Sequence, residues 1–272
     1  MARLRARQAD VVHFQWLAVP ELDELLLRFR KPAVFTAHDP LPRRAARNRR
    51  RWRRILDRFD RIVVHSEWGR GVLEEFGIEP ERLRVIFHPV HASDPPRTDD
   101  GRTLLCFGLI RPYKGLGDAI AAATLVPDAR LLVAGEPLEP IEPYRKQAGE
   151  LAEWRLGYLP PEEVDRAYGE ATIALFPYRP EIDQSGALLR ALGAGVPAVV
   201  YDVAGLAEPV RGFGAGRVVP AGDVEGLASA IRQLLDDDGA LEQARAGARR
   251  ARAALTWEAS ARKHLELYRE LV

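Results

Sequence analysis

The sequence predicts an α/β protein made of two Rossmann-like halves, each a parallel sheet covered by helices. Three observations lead there. Short apolar runs rich in Val, Ile and Leu, of the kind that form strands buried on both faces, alternate with segments of helical spacing along the chain. The alternation stops once, at residues 91–101 (HASDPPRTDDG), which are polar, contain Pro95 and Pro96, and show no apolar period. It then restarts. Strand–helix alternation gives parallel strands joined by helical crossovers, and one interruption gives two units. The expected division is a first lobe over 1–91, a linker over 92–101, a second lobe over 102–255, and a final helix over 256–272 that packs back toward the first lobe.

In the first half, a basic lead-in over 1–9 precedes a strand over Asp10–Phe14 and a helix over Val19–Phe29. Pro32 opens the next strand, Ala33–Ala37, which ends in His38-Asp39-Pro40. The basic run Arg43–Arg54 carries Trp52, with Ile55, Leu56 and Phe59 following at helical spacing, and predicts an amphipathic helix. A strand over Arg61–His65 leads into a helix capped by Ser66 and stopped by Gly77. Leu83–Phe87 is the fourth strand, ending in His88-Pro89. A doubly wound domain has about six strands, and no Gly-rich turn follows the opening strand. The first lobe therefore reads as incomplete: its start is missing, or it is a reduced variant.

The second half opens with a strand over Thr103–Phe107, a turn and a helix over 115–125, and a strand over Arg130–Ala134. A loop over 136–143, a short helix, a strand over Trp154–Leu156 and a helix over 161–170 follow. The organising stretch runs from Phe176 to Tyr201. A buried strand, Ala171–Phe176, gives way to a polar loop with Glu181, Asp183 and Gln184, and then to Ser185-Gly186-Ala187 at the mouth of a helix. Gly193 to Gly195 close that helix before the strand Val196–Tyr201. A helix mouth of small residues presents free N–H groups and a positive dipole end, which suits phosphate. An ordinary Ser-capped strand–loop–helix is the plainer reading. A helix near Leu206, a strand over Arg217–Val219 and helices over 223–237, 239–254 and 257–271 complete the chain.

Composition narrows the function classes. Of 272 residues, 47% are hydrophobic and 29% charged, which fits a globular protein. The 40 basic and 39 acidic residues leave a net charge of +1, so nothing pulls the chain toward nucleic acid. One cysteine, Cys106, excludes internal disulfides and a cysteine-based zinc site, and suits a reducing, cytoplasmic setting. No apolar run reaches the roughly 20 residues of a membrane helix. The Arg43–Arg54 run leaves open a peripheral contact with anionic lipid at the inner membrane face; a solvated helix face is its plain alternative.

Several pieces in order resemble one family. The loop Phe107-Gly-Leu-Ile-Arg-Pro-Tyr-Lys-Gly115 is similar to the strand-to-helix loop that opens the C-terminal domain of family 4 glycosyltransferases, which have the GT-B fold. Leu132-Val-Ala-Gly135, Gly157-Tyr158-Leu159, the Ser185-Gly186 loop, Gly193 to Pro197, Val203 to Val210 and Thr256-Trp257-Glu258 follow in that family's order. Thr36-Ala-His-Asp39 and Val64-His-Ser-Glu67 resemble strands of its acceptor domain. The resemblance implies a GT-B-like fold with an incomplete N-terminal lobe. It also implies transfer of a sugar from a nucleotide-sugar donor to a hydroxyl acceptor, with retention and with no metal or cofactor. The donor would lie in the cleft between lobes, mostly on the second.

Residue by residue, Arg111 and Lys114 share one Gly-flanked loop with Gly108. Two fixed cations there would lower the barrier to releasing a nucleoside diphosphate, which gains negative charge as the glycosidic bond breaks; the plain alternative is a solvated pair. The usual family Arg stands one residue after the first Gly, where this chain has Leu109. Ser185, Gly186 and Ala187 would hold diphosphate or sugar oxygens. Many family members place two glutamates at this helix; here Arg190 aligns with the second and the first falls near Ile182, so Glu181 or Asp183 takes the sugar hydroxyls. Glu208 is a further donor candidate, or an ordinary first-turn carboxylate. Tyr158 and Leu159 would wall the base, or Tyr158 is core. His38, at a strand's carboxyl end, matches the family His that orients the transferred sugar; His13, His65 and His88 also follow apolar strands.

Two rivals remain open. One is a non-catalytic nucleotide-sugar-binding lobe, or one dependent on an oligomer or partner that covers the unpaired edge of the incomplete first sheet. The other is a nucleotide-sugar epimerase, for which no convergent carboxylate pair is visible. A dinucleotide oxidoreductase is disfavoured because no G-x-G-x-x-G follows a first strand.

Overall fold

The computed structural model describes residues 9–17, 31–41, 48–179 and 183–272. The helix expected over Val19–Phe29, residues 43–47 of the basic run, and Glu181 lie outside the described residues. The chain divides into two compact units, one of residues 1–88 with 257–272 and one of residues 89–256.

In the first unit, strands β1 (Val12–Phe14), β2 (Ala33–Thr36), β3 (Arg61–Val64) and β4 (Leu83–Val85) pair in that order, all parallel. Helices α1 (Arg49–Leu56) and α2 (Glu67–Phe76) cover one face. Trp52, Ile55 and Leu56 of α1 are buried there with Phe59 and with Leu73 and Phe76 of α2. Ser66 caps α2, its hydroxyl accepting from the Gly69 N–H at 2.8 Å, and Gly77 ends it in the left-handed region (φ 101°). The basic helix α1 serves that end: the Arg49 guanidinium donates to the carbonyls of Glu75 and Phe76, and Arg53 donates to that of Gly77. Cations at a helix C-terminus offset its dipole, so these two arginines have structural work. Across the sheet, Leu267 of the C-terminal helix (Trp257–Arg269) packs on Val34, Val63 and Ile86.

The second unit holds β5 (Thr103–Phe107), β6 (Arg130–Gly135), β7 (Ala152–Leu156), β8 (Ile173–Phe176), β9 (Ala198–Tyr201) and β10 (Gly216–Val219), a parallel sheet in the order β10-β9-β8-β5-β6-β7. Its helices are α3 (Leu116–Thr124), α4 (Glu142–Ala148), α5 (Pro161–Glu170), α6 (Gly186–Gly193), α7 (Ala207–Phe213), α8 (Val224–Leu235) and α9 (Asp238–Ala254). This is the doubly wound order, whose direction of winding reverses between β5 and β8. Those two strands pair only at Leu104–Ile173 and Leu105–Ala174. They part before their carboxyl ends, which opens a crevice.

Residues 92–101 are irregular, as their composition predicts, but they run along the second unit. The Ser93 and Thr98 N–H groups donate to the carbonyls of Gly193 and Gly169, and Arg252 holds Asp94 at 2.6 Å. The approach is so close that a Cβ on Gly193 would stand 2.0 Å from the His91 carbonyl oxygen. Among the described residues, no helix is long and apolar enough to cross a membrane.

Candidate functional site

The crevice between β5 and β8 is shaped by backbone contacts that only glycine permits. Gly115 follows a 3₁₀ turn, Pro112–Lys114, with φ 66°, and a Cβ on it would meet the Pro177 carbonyl oxygen at 1.9 Å. Gly135, at the end of β6 with φ 137°, lies equally close to the Gly108 carbonyl, where a Cβ would come to 2.2 Å. These contacts seat the 108–115 loop against the exit of β8 and turn Lys114 inward. Its Nζ lies 5.2 Å from the centroid of the Tyr178 ring and donates to the Phe107 carbonyl at 3.3 Å. A Cβ on Gly108 would be 2.8 Å from that Nζ and 3.9 Å from the Cβ of Ala187. One ammonium therefore sits at the carboxyl end of β5, beside the Gly108 that faces Ala187 in the first turn of α6.

Burial pushes the Lys114 amine down to about 8, with Arg111 pushing the same way, so it stays charged at neutral pH. Burial pushes the neighbouring Cys106 thiol up to about 12 and keeps it uncharged. Tyr178 is buried, and its hydroxyl lies 3.2 Å from Ser185 Oγ. That Oγ caps α6 by accepting from the Leu188 N–H at 3.3 Å. Gly186 is exposed at the first position of α6, and the Ala187 carbonyl accepts from the Tyr168 hydroxyl at 3.0 Å.

Beside this crevice, across the ends of β5, β6 and β7, is a pocket of about 310 Å³ lined by Gly108, Glu136, Tyr158, Leu159 and Arg190 among others. Tyr158 is 84% exposed, which removes the core reading of that ring. Leu159 is half-buried against the core. The Arg190 guanidinium reaches Asp165 at 3.4 Å.

The structure thus brings Gly108, Lys114, Ser185, Gly186 and Ala187 together, with Tyr158 and Leu159 around the same Gly108. Arg111 stands exposed on the outer side of the loop. Asp183 is buried, and its Oδ1 accepts from the Gly205 N–H at 3.0 Å, tying the polar loop to the turn after β9. Glu208 is half-buried in the first turn of α7. Sequence reasoning did not single out Tyr178 or Glu136. The signal for Tyr178 was its place two residues beyond a buried strand, on the same side of the sheet as the Lys114 loop.

His38 stands in the first unit, two residues past β2, within a row of rings along the carboxyl edge of that sheet. Trp16 stacks on His38 (centroids 4.5 Å apart), His38 lies 4.9 Å from His65, and His65 lies 5.4 Å from His88. His88 in turn meets Trp257 at 6.1 Å. His38 Nδ1 lies 3.0 Å from His65 Nε2, and His65 Nδ1 is 2.8 Å from the Ile86 carbonyl oxygen. Burial pushes His65 and His13 down to about 4 and also lowers His38, with His88 adding to the effect on His38. At neutral pH these rings are uncharged.

Two family models match the chain in sequence: Glycosyltransferase Family 4 over residues 1–94, and Glycosyl transferases group 1 over residues 101–237. The chain belongs to the family 4 glycosyltransferases. Among family relatives, the glycogen synthase of Mycobacterium tuberculosis is 32% identical over 221 residues, which are 76% of this chain and 53% of that one. The chain spans between 24% and 54% of the length of the curated relatives it matches. Sucrose-phosphate synthase from Thermosynechococcus elongatus superposes with a TM-score of 0.79 at 21% identity, covering 99% of this chain and 75% of that one. Anabaena HepE in complex with UDP gives 0.78 at 15% identity, covering 99% and 81%. These likenesses show the GT-B fold.

Proposed function

We propose that the chain transfers a sugar from a nucleotide-sugar donor to a hydroxyl acceptor, with retention and without a metal. The observation that carries this reading is the inward-turned Lys114 ammonium at the mouth of α6. A half-buried, charged amine next to free helix N–H groups, at the switch point of a doubly wound sheet, has the chemistry of a diphosphate site. In this reading the diphosphate lies over Gly108 with its oxygens on Lys114 Nζ and the amides of Gly186 and Ala187. Arg111 approaches from the rim. As the bond to the sugar breaks, negative charge builds on the leaving diphosphate, and fixed cations stabilise it more than they stabilise the intact donor. A donor phosphate oxygen takes the acceptor's proton, so the reaction calls for no separate carboxylate base.

The 310 Å³ pocket takes the nucleoside. Leu159 and the exposed ring of Tyr158 wall the base, and Arg190 stands where an acidic ribose contact is usual, which offers donors in place of acceptors. The solved HepE structures with UDP and with UDP-glucose make uridine the first base to try. In the first unit, neutral His38 orients the hydroxyls of the transferred sugar.

Calorimetric titration with UDP, GDP, ADP and their sugar nucleotides tests this directly. The expected result is selective binding of one nucleotide and its slow release from the matching sugar form. Absence of binding to all of them would overturn the donor site. Binding without any release, across broad acceptor pools, would favour a protein that holds the donor and does not transfer the sugar.

A further inference from the structure

The hydrogen bonds behind His38 dictate which of its nitrogens carries a proton. A carbonyl oxygen only accepts, so the 2.8 Å contact with Ile86 O places a hydrogen on His65 Nδ1. His65 is 6% exposed and uncharged at neutral pH, so its Nε2 carries no hydrogen and must accept. The donor to it is His38 Nδ1, at 3.0 Å. The atom of His38 that gains or loses a proton is therefore Nε2.

That atom faces the Gln15 amide, with Oε1 at 3.2 Å, and the amide nitrogen lies 3.3 Å from His13 Nε2. His13 continues the network to Tyr268 OH at 2.6 Å and Thr36 Oγ1 at 2.8 Å. With His38 charged, Oε1 of Gln15 accepts from Nε2. With His38 neutral, the amide turns and its NH₂ donates to Nε2. His65 and His38 Nδ1 keep the same roles in both arrangements. Trp16 stacked on His38, and His65 tilted against it, hold the ring in place.

We propose that His65 is a positioning residue that fixes His38 as the Nδ1–H tautomer, so that its Nε2 lone pair accepts a hydrogen bond, from the Gln15 NH₂ in the free chain and from a substrate hydroxyl that displaces it. The second half of this statement rests on the sugar-transfer reading above; the first half does not. An imidazole held this way accepts from a hydroxyl at Nε2, whereas the other tautomer donates there, so the ring would read opposite partners in the two states.

Two-bond ¹H–¹⁵N spectra of the full chain, labelled at histidine and recorded near neutral pH, test it. The expected result is a protonated Nδ1 and a bare Nε2 at His38. In His65→Phe the proton moves to Nε2 and is donated to Gln15 Oε1, and kcat falls on the order of tenfold with the donor KM unchanged. His65→Gln, which keeps an acceptor toward His38 and a donor toward Ile86, retains the tautomer and most of kcat. A wild-type His38 with its proton on Nε2 would overturn the proposal without any variant being made. So would a His38 tautomer unmoved in a folded His65→Phe protein. An inactive chain that shows the expected tautomer and its loss in His65→Phe would overturn the transferase reading and leave the role of His65 standing.

Discussion

The two parallel sheets present the same architectural feature, a row of strand carboxyl ends, and furnish it with opposite chemistry. In the first unit the row is closed by rings: His38, His65 and His88, with Trp16 and Trp257 at either end. In the second it is closed by glycines, by one lysine and by the start of α6. Burial acts on both and by a similar amount. It takes an imidazole from 6.5 to about 4 and the Lys114 amine from 10.5 to about 8. Because the starting values differ, the same desolvation leaves His65 uncharged at neutral pH and Lys114 cationic.

The most damaging way to break the contrast is to fill the glycine edge. Gly115→Ala forces a left-handed residue and a Cβ against the Pro177 carbonyl, and is expected to lower stability by roughly 3 kcal/mol or more and to abolish donor binding, read by thermal unfolding and calorimetry. Gly186→Ala, where nothing lies within 4 Å of the added Cβ, serves as the control and should leave stability within about 0.5 kcal/mol.

Acid breaks the other edge. Unfolded histidine takes up its proton near 6.5, whereas folded His65 and His13 do so near 4. The unfolded state therefore binds more protons between those values, and stability falls as pH drops from 6.5 to about 4. The loss attributable to His65 alone is on the order of 3 kcal/mol. Hydrogen exchange should show protection lost first in strands β1 to β4 of the first unit, and His65→Phe should flatten the decline.

Lys114→Ala sharpens the electrostatic half of the comparison. A charge-assisted bond to phosphate contributes about 1.5–3 kcal/mol, so donor Kd should rise roughly 10- to 100-fold, measured calorimetrically. In the wild type, affinity should fall as pH climbs through about 8, because the amine loses its charge there, and should converge on the variant's value. Affinity that is flat from neutral to alkaline pH would mean that Lys114 does not touch the donor. The smallest effect belongs to Tyr158→Ala. Its ring is exposed, and a base stacked on it would lose about 1 kcal/mol, a several-fold rise in Kd with the fold unchanged.

Much of this was legible in the sequence, and the exceptions share a cause. The apolar run Thr103–Phe107 and the cap and stop of α2, Ser66 and Gly77, reappear in place, because burial on both faces and helix capping are local requirements. The Lys114 loop was legible as well, since glycine spacing marks close backbone approach. Residues 92–101 read as a tether because polarity and prolines are all that a sequence shows of them; the bonds to Gly193 and Gly169 that fasten them depend on distant partners. The ring row is of the same kind. Each histidine was visible by itself, but only the parallel register of β1 to β4 brings His13 of β1 together with His38, His65 and His88, which follow β2, β3 and β4. Tyr178 under Lys114 likewise exists only once β8 lies beside β5.

The hydrogen bond from the Val90 N–H to the Leu255 carbonyl, at 2.8 Å, has a genetic consequence. It joins the entry and the exit of residues 89–256, so that this unit is an insert, longer than its host, whose two ends meet. Segments whose ends meet can be lifted out, closed on themselves or reopened elsewhere without stretching the chain. The second unit thus meets the geometric condition for being permuted or exchanged at a pair of adjoining seams.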